Sequence, residues 1–462
     1  MLRAALLPLV VLLAAPVPAV TFEPTAYLND YGASDNGTPS FDTEVAVAEH
    51  DGTWVAVWEA ALVPGTGAVP DDDIGFARSL DGGASWSSAG ALNSQAASDS
   101  LEDQAPDVAG AGETWVAVWS RRQDVDQDDE IWFARSTNDG ASWSPMQLLN
   151  TTATTDPLAN DDYPHVAGDG SGTWVAVWLS NNDLGGTIGV DDDVLYARST
   201  DDGVTWSAPL ALNSYAAGDV SRDWPRDIHY DGSGVWAVVW DSTDDVGGIG
   251  TDEDVLISRS TDGGQTWSAA APVNEDAATD SEEDRHARLT TDAKGTWMSV
   301  WQDGEPSGHP QIVASSSTDG GVTWSPAVAL TQVTATAPKF PVVAESRGTW
   351  VITFSGLNID STTDEDIFQS QSTDGGQTWT TPANLQVDGD NATDTAPVIT
   401  ADDLGRFVLA WQGFDTPGPG GSEPDIFYRR TGGVHVPALP FAAAATTALL
   451  VLAAAWRRLR PR

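Results

Sequence analysis

The sequence predicts an all-β protein built from one antiparallel sheet unit repeated seven times. Three observations predict it. A Val- and Trp-rich run, Gly52-Thr53-Trp54-Val55-Ala56-Val57-Trp58, returns around Trp115, Trp174, Trp236, Trp297, Trp350 and Phe407. A turn of the form Ser-x-Asp-x-Gly-x-x-Trp, sometimes with Asn for Asp, follows in six of the seven copies. Cysteine is absent from all 462 residues, so neither a disulfide framework nor a thiolate metal site organises the chain.

Each Val/Trp run is short, nearly unbroken and bounded by Gly or Asp, the pattern of a strand buried on both faces. A second element follows it, first as Asp73-Ile74-Gly75-Phe76-Ala77-Arg78-Ser79 and last as Asp425-Ile426-Phe427-Tyr428-Arg429-Arg430. The turn comes next, as in Ser79-Leu80-Asp81-Gly82-Gly83-Ala84-Ser85-Trp86. It recurs about Asn138, Asp201, Asp262, Asp319 and Asp374. Its chemistry is that of a tight hairpin: Asp accepts backbone N–H bonds, Gly permits positive φ, and the Trp ring tucks beneath the turn. Six residues after each turn Trp stands an apolar residue of a fourth strand: Leu92, Leu149, Leu212, Val273, Leu330 and Leu385.

These turns resemble the Asp-box (BNR) repeats of the sialidase superfamily, and the resemblance covers most of residues 20 to 432. It implies a β-propeller of four-stranded antiparallel blades. The repeat number argues for seven blades, with the six-bladed sialidase-type propeller as the alternative. The seventh unit decays to Thr431-Gly432-Gly433 and supplies no outer strand. The segment from Phe22 to Leu28-Asn29 does, since it matches Leu92-Asn93 and Leu212-Asn213. The first strand is therefore expected to close the last blade and hide its edge.

The two ends are read as processing and anchoring segments. Residues 1–19 join Arg3, an apolar stretch and Val17-Pro18-Ala19, which is a secretory signal peptide. Residues 433–462 contain an uncharged run from Phe441 to Trp456, followed by Arg457, Arg458, Arg460 and Arg462. This end resembles a PEP-CTERM-type sorting signal: a transmembrane segment with an Arg-rich tail, either retained or removed by a sorting enzyme. The body between is expected to be exported, at the cell surface or released.

Charge narrows the partners. There are 68 acidic residues against 21 basic ones, a net charge of −47. Nucleic acid is a poor partner for such a surface. The long connections, before each first strand and between the second and third, share one face of the ring, and function is expected there. A pseudo-symmetric ring binds a ligand where its blades differ. Just before the leading apolar residue of the first strands, four consecutive blades carry Asp107, His165, Asp227 and Arg288. Trp224 stands on this face as either a loop anchor or a stacking platform for a sugar. Arg226 joins Arg222, Arg285 and Arg288 in a basic cluster, which fits either a bidentate carboxylate site or neutralisation of nearby acids. The candidate ligand-binding set is thus Asp107, His165, Trp224, Arg226, Asp227 and Arg288. Upstream, Asp42, Asp103, Asp162, Asp223, Asp284 and Asp394 recur and read as structural caps.

Asp124, Asp126 and Asp128 alternate as carboxylates in calcium loops do, and are open to calcium binding or to a merely solvated acidic face. The functional expectation is a binding module for glycan or protein. A structural surface component is one alternative. The other, an exo-sialidase, follows from the resemblance, which implies three clamping arginines, a Tyr–Glu nucleophile pair, an Asp acid/base and an Arg-Ile-Pro segment. Arg226 and Arg288 fit two clamp positions, but no Arg-Ile-Pro segment occurs and blade one has no arginine before Arg78.

Overall fold

In the computed structural model, residues 19–432 are described except for 30–40, 62–70, 97–99, 123–127, 152–158, 280, 306–309, 331–334, 359–364, 386–392 and 415–423. Both end segments, 1–18 and 433–462, thus lie outside the described residues. Among the described residues, no helix is long and apolar enough to cross a membrane.

The chain forms seven four-stranded antiparallel sheets, and in six of them the strands follow sequence order from the axis outward. Blade 1 comprises Asp42–His50, Thr53–Ala60, Asp73–Ser79 and Gly90–Ala91. Its second strand is buried because both faces are covered by neighbouring blades, and Trp54 and Trp58 are fully enclosed. The innermost strands of blades 2 to 7 are Asp103–Ala111, Asp161–Gly168, Asp223–Tyr230, Glu283–Thr291, Ala335–Ser346 and Asp394–Ala401. The ring has seven blades and the six-bladed alternative is excluded. Blade 7 takes its outer strand from Ala26–Tyr27, paired antiparallel with Phe427 and Tyr428. The pairing continues through Leu28, whose N–H donates to the Ile426 carbonyl, and Glu23, whose N–H donates to that of Arg430.

The Asp boxes fold as their composition dictates and also join blades. In the first, Asp81 Oδ1 accepts the Ser79 hydroxyl at 2.8 Å and the Ser85 N–H at 2.9 Å, while Ser79 Oγ accepts the Gly83 N–H at 2.9 Å. Gly83 has φ +76°, and a Cβ there would meet Val408 at 2.7 Å, so glycine is required twice over. The box Trp does not simply tuck beneath its own turn. It meets the preceding blade edge-on: Trp86 against Tyr428, Trp143 against Phe76, Trp206 against Phe133 and Trp267 against Tyr196, with centroids 5.8–6.1 Å apart. The in-register arginines reciprocate. Arg78 donates to the Asp139 carbonyl and Arg135 to that of Asp202, each in the next blade's box.

A second joint lies at the opposite face. The Asn93 side-chain amide donates 2.7 Å bonds to Asp73 of its own blade and to Asp103 of the next. Asn29 does the same for Asp425 and Asp42, closing the ring, and Asn213 and Asn274 repeat it for Asp193/Asp223 and Asp254/Asp284. In blade 3 the bridged acid is Asp161, reached by Asn150, which also donates to Glu130. The repeating position is therefore Asp161 rather than Asp162, because the spacing to the post-bulge residue (Asp103 to Asp107, Asp161 to His165) must match.

The joint predicts its own weakness. An Asn93→Ala variant leaves two buried carboxylates facing one another without a shared donor, and hydrogen bonds to charged groups contribute about 1.5–3 kcal/mol each. We expect a loss of about 3 kcal/mol in chemical denaturation. Asn93→Asp should be at least as damaging, since it adds a third negative charge.

Candidate functional site at the mouth of the central channel

The seven innermost strands enclose a channel of about 1120 Å³ that opens on the long-loop face. Near its mouth each of these strands carries a β-bulge, which re-aims one side chain. The bulged residues Glu44, Ala105, Tyr163, His286, Phe340 and Ala396 all have φ near +50°. Such angles are uncommon outside glycine, and four of these side chains are bulky or charged. Blade 4 differs. Pro225 occupies the bulge position, its ring holds φ negative, and the register shift falls at Arg226 instead. Trp224 is a residue of the innermost strand, as Thr43, Gln104 and Asp162 are in their blades, and not of a loop as the sequence suggested.

All six candidate binding residues, Asp107, His165, Trp224, Arg226, Asp227 and Arg288, line this channel. Two of them serve the fold as well. Asp107 accepts the Val108 N–H and, from the next blade, the Val166 N–H, both at 2.9 Å. Asp227 likewise accepts from Ile228 at 2.9 Å and Leu289 at 3.1 Å. His165 stands 3.6 Å from Asp107, and His229, which sequence reasoning missed, stands 3.4 Å from Asp227.

The arginines have partners. Arg226 pairs with the buried Asp241 at 2.5 Å, Arg222 with Asp192 at 3.0 Å, and Arg285 with both Glu253 and Glu283. Arg288 donates to the Arg226 carbonyl across the blade boundary. Neutralisation of acids therefore accounts for most of the basic cluster. Trp224 is held between neighbours: its ring lies 4.8 Å from that of Tyr163, with the Arg222 guanidinium 3.7 Å and that of Arg226 4.9 Å from its centroid. An aromatic corner with polar groups at its edge results.

Beside it lies a recess of about 300 Å³ lined by Glu44, Glu59, Gln104, Asp162 and Tyr163 among others. Burial and the Glu44 carboxylate push Glu59 well up, and burial also raises Glu44. Two imidazoles that line the channel have pKa values driven apart. Burial, with Arg226 and Arg288 behind it, pushes His286 down to about 3. Burial also opposes charge on His229, yet the Asp227 carboxylate outweighs it and raises the pKa.

Of the proposed metal ligands, Asp124 and Asp126 lie outside the described residues. Asp128 is buried just before the third strand of blade 2. A different group of acids comes together between blades 3 and 4. Ligand oxygens of Asp191, Asp193 and Asp219 lie within 4.8 Å of one another, as do those of Asp219, Asp223 and Asp244. Burial and its neighbours push Asp219 up to about 7 and Asp193 up to about 6. Buried aspartates so grouped could hold a metal ion. The sequence shows Asp191-Asp192-Asp193 as one of several acidic entries to a third strand, open to a cation or to solvation, but not its convergence with Asp219 and Asp244, which come from separate connections.

A seven-bladed propeller with Asp boxes and a polar, aromatic-lined mouth defines the class. Residues 112–354, over half of the chain, match the BNR repeat-like domain, and the protein belongs to that family. Among curated proteins none matches the sequence. Several solved structures share the fold. A protein of unknown function from Dyadobacter fermentans DSM 18053 is 16% identical with a TM-score of 0.51, over 90% of this chain and 99% of that one. An ulvan lyase from a new family of polysaccharide lyases is 13% identical with a TM-score of 0.54, over 85% and 94%. A Hadza microbial sialidase is 18% identical with a TM-score of 0.47, over 71% of this chain and 65% of that one. At these identities the likeness concerns the fold alone.

The two histidines give a direct check on the electrostatics of the channel. At pH 5.5 we expect His229 to be imidazolium and His286 to be neutral, read from ¹⁵N shifts of histidine-labelled protein. Equal titration of the two rings near pH 6.5 would contradict the described arrangement.

Proposed function

We propose that the protein is a non-catalytic binding module whose channel mouth takes a glycan, with a sugar ring stacked on the Tyr163–Trp224 corner. That corner is the observation that carries the reading. It breaks the pseudo-symmetry of the ring, since Pro225 gives blade 4 a bulge unlike its neighbours and Trp224, beside it, meets Tyr163. Polar groups of Arg226, Arg288 and His286 line the same channel on the adjoining strands and suit sugar hydroxyls. An uncharged glycan is favoured, because the net charge of −47 repels polyanions and Arg222, Arg226 and Arg285 are already paired with carboxylates.

The same pairing argues against an exo-sialidase. A clamp for a substrate carboxylate needs guanidinium groups whose bidentate face is open, and here Asp241 pairs with Arg226 while Glu253 and Glu283 pair with Arg285. Export and surface tethering belong to the proposal too. They are supported by the signal-like residues 1–19 and the apolar, Arg-tailed residues 433–462.

Glycan-array screening of the purified protein, followed by calorimetry on its best ligand, tests the reading. Trp224→Ala should weaken binding by roughly 30-fold, the scale of an aromatic hot spot, without a matching loss of melting temperature. Undiminished affinity in that variant, or sialic acid release from a fluorogenic sialoside, would overturn it.

A further inference from the structure

The carboxylates between blades 3 and 4 come from three connections that no single strand holds together. Asp191 enters just before the third strand of blade 3, Asp193–Ser199. Asp219 lies on the crossing to blade 4, whose innermost strand starts at Asp223. Asp244 follows the second strand of blade 4, Trp236–Ser242. Asp223 is committed elsewhere in part, since it accepts from Asn213 at 2.5 Å and the Tyr215 hydroxyl at 3.1 Å.

The others are not so satisfied. Asp193 is 1% exposed, its Oδ1 accepts from Asn213, and its Oδ2 is buried with no donor. Both carboxylate oxygens of Asp219 and Oδ2 of Asp191 are also buried without a donor. Leaving several carboxylate oxygens out of water and undonated is costly for a protein that has other options. Arg222, next to Asp223 in the chain, is paired with Asp192. A cation is the missing partner.

We propose that a calcium ion binds between blades 3 and 4, held by Asp191, Asp193 and Asp219, with Asp244 and Asp223 completing the anionic shell. All the donors are hard oxygens and no imidazole or thiolate is among them, which selects calcium over zinc. The spacing is compatible. Oxygens bound to one calcium ion at about 2.4 Å each can stand no more than about 4.8 Å apart, and the ligand oxygens of each group lie within that distance of one another. The sequence repeats the donor pattern. Asp71/Asp73, Asp128/Glu130 and Asp252/Asp254 correspond to Asp191/Asp193, and an acid six residues after the bridging Asn recurs as Asp99, Asp156 and Asp280, which lie outside the described residues. The ion would tie two blades at their long-loop face, next to Arg222 and Trp224 at the channel mouth. This assignment stands independently of glycan binding.

Calorimetric titration of the EDTA-stripped full chain with calcium chloride tests it. The wild type should bind calcium with a stoichiometry that falls by at least one equivalent in Asp219→Ala. Its melting temperature should rise by several degrees in millimolar calcium, and the same concentration of magnesium should give a smaller shift. Asp219→Lys supplies a tethered charge in place of the ion. It should melt in EDTA no lower than the wild type while also losing that equivalent, which guards against misfolding of the alanine variant. No heat of binding in the wild type, or equal stoichiometry in a folded Asp219 variant, would overturn the assignment.

Discussion

A primary amide has two N–H hydrogens, and in this protein each is donated to a different blade. The bond from Asn93 to Asp73 stays within one sheet, while the bond to Asp103 crosses to the next. Two buried carboxylates cannot face each other without a donor between them. The amide therefore dictates how closely adjacent sheets approach at the long-loop face. At the other face the Asp-box Trp and the third-strand Arg do the equivalent work, with Trp143 on Phe76 and Arg78 on the Asp139 carbonyl. Blades joined in both ways are pinned at top and bottom, and between the joints the buried Val/Trp strand packs on the neighbouring blades, with Asp241 at its end accepting the His286 N–H of the next blade.

Ring closure uses the same device. Asn29 lies hundreds of residues from Asp425, yet it makes the bridge that Asn93 makes between near neighbours. The joint is not universal. At the boundary between blades 5 and 6 the corresponding positions are Gln311, Thr331 and Pro338, so the amide and both acids are gone together. Loss of all three at once removes the buried carboxylates together with the amide that they share elsewhere.

The mouth of the channel inherits its asymmetry from the bulges. Six innermost strands present a residue at positive φ, and the side chains there are Glu44, Ala105, Tyr163, His286, Phe340 and Ala396. The backbone is nearly the same around the ring while the chemistry differs from blade to blade. Pro225 then removes one blade from the pattern, and in that blade Trp224 lies against Tyr163. Acids that serve as joints, such as Asp227, also set the charge of what faces the channel, here by favouring the protonated form of His229 beside them.

Repetition made the blades, their number, the Asp boxes and the closing strand legible in the sequence, since each copy tests the others and strand burial is a local, periodic property. It also pointed to Asp107, His165, Trp224, Arg226, Asp227 and Arg288 as positions where blades differ, and all six do line one channel. What it left out depends on distance. That Arg226 is occupied by Asp241, that Asn150 reaches Asp161 rather than Asp162, and that Asp191, Asp219 and Asp244 converge are facts of three dimensions. Sequence spacing records which residue types recur. Whether a charged group is free or already paired depends on neighbours brought in from another blade, and only the closed ring supplies them.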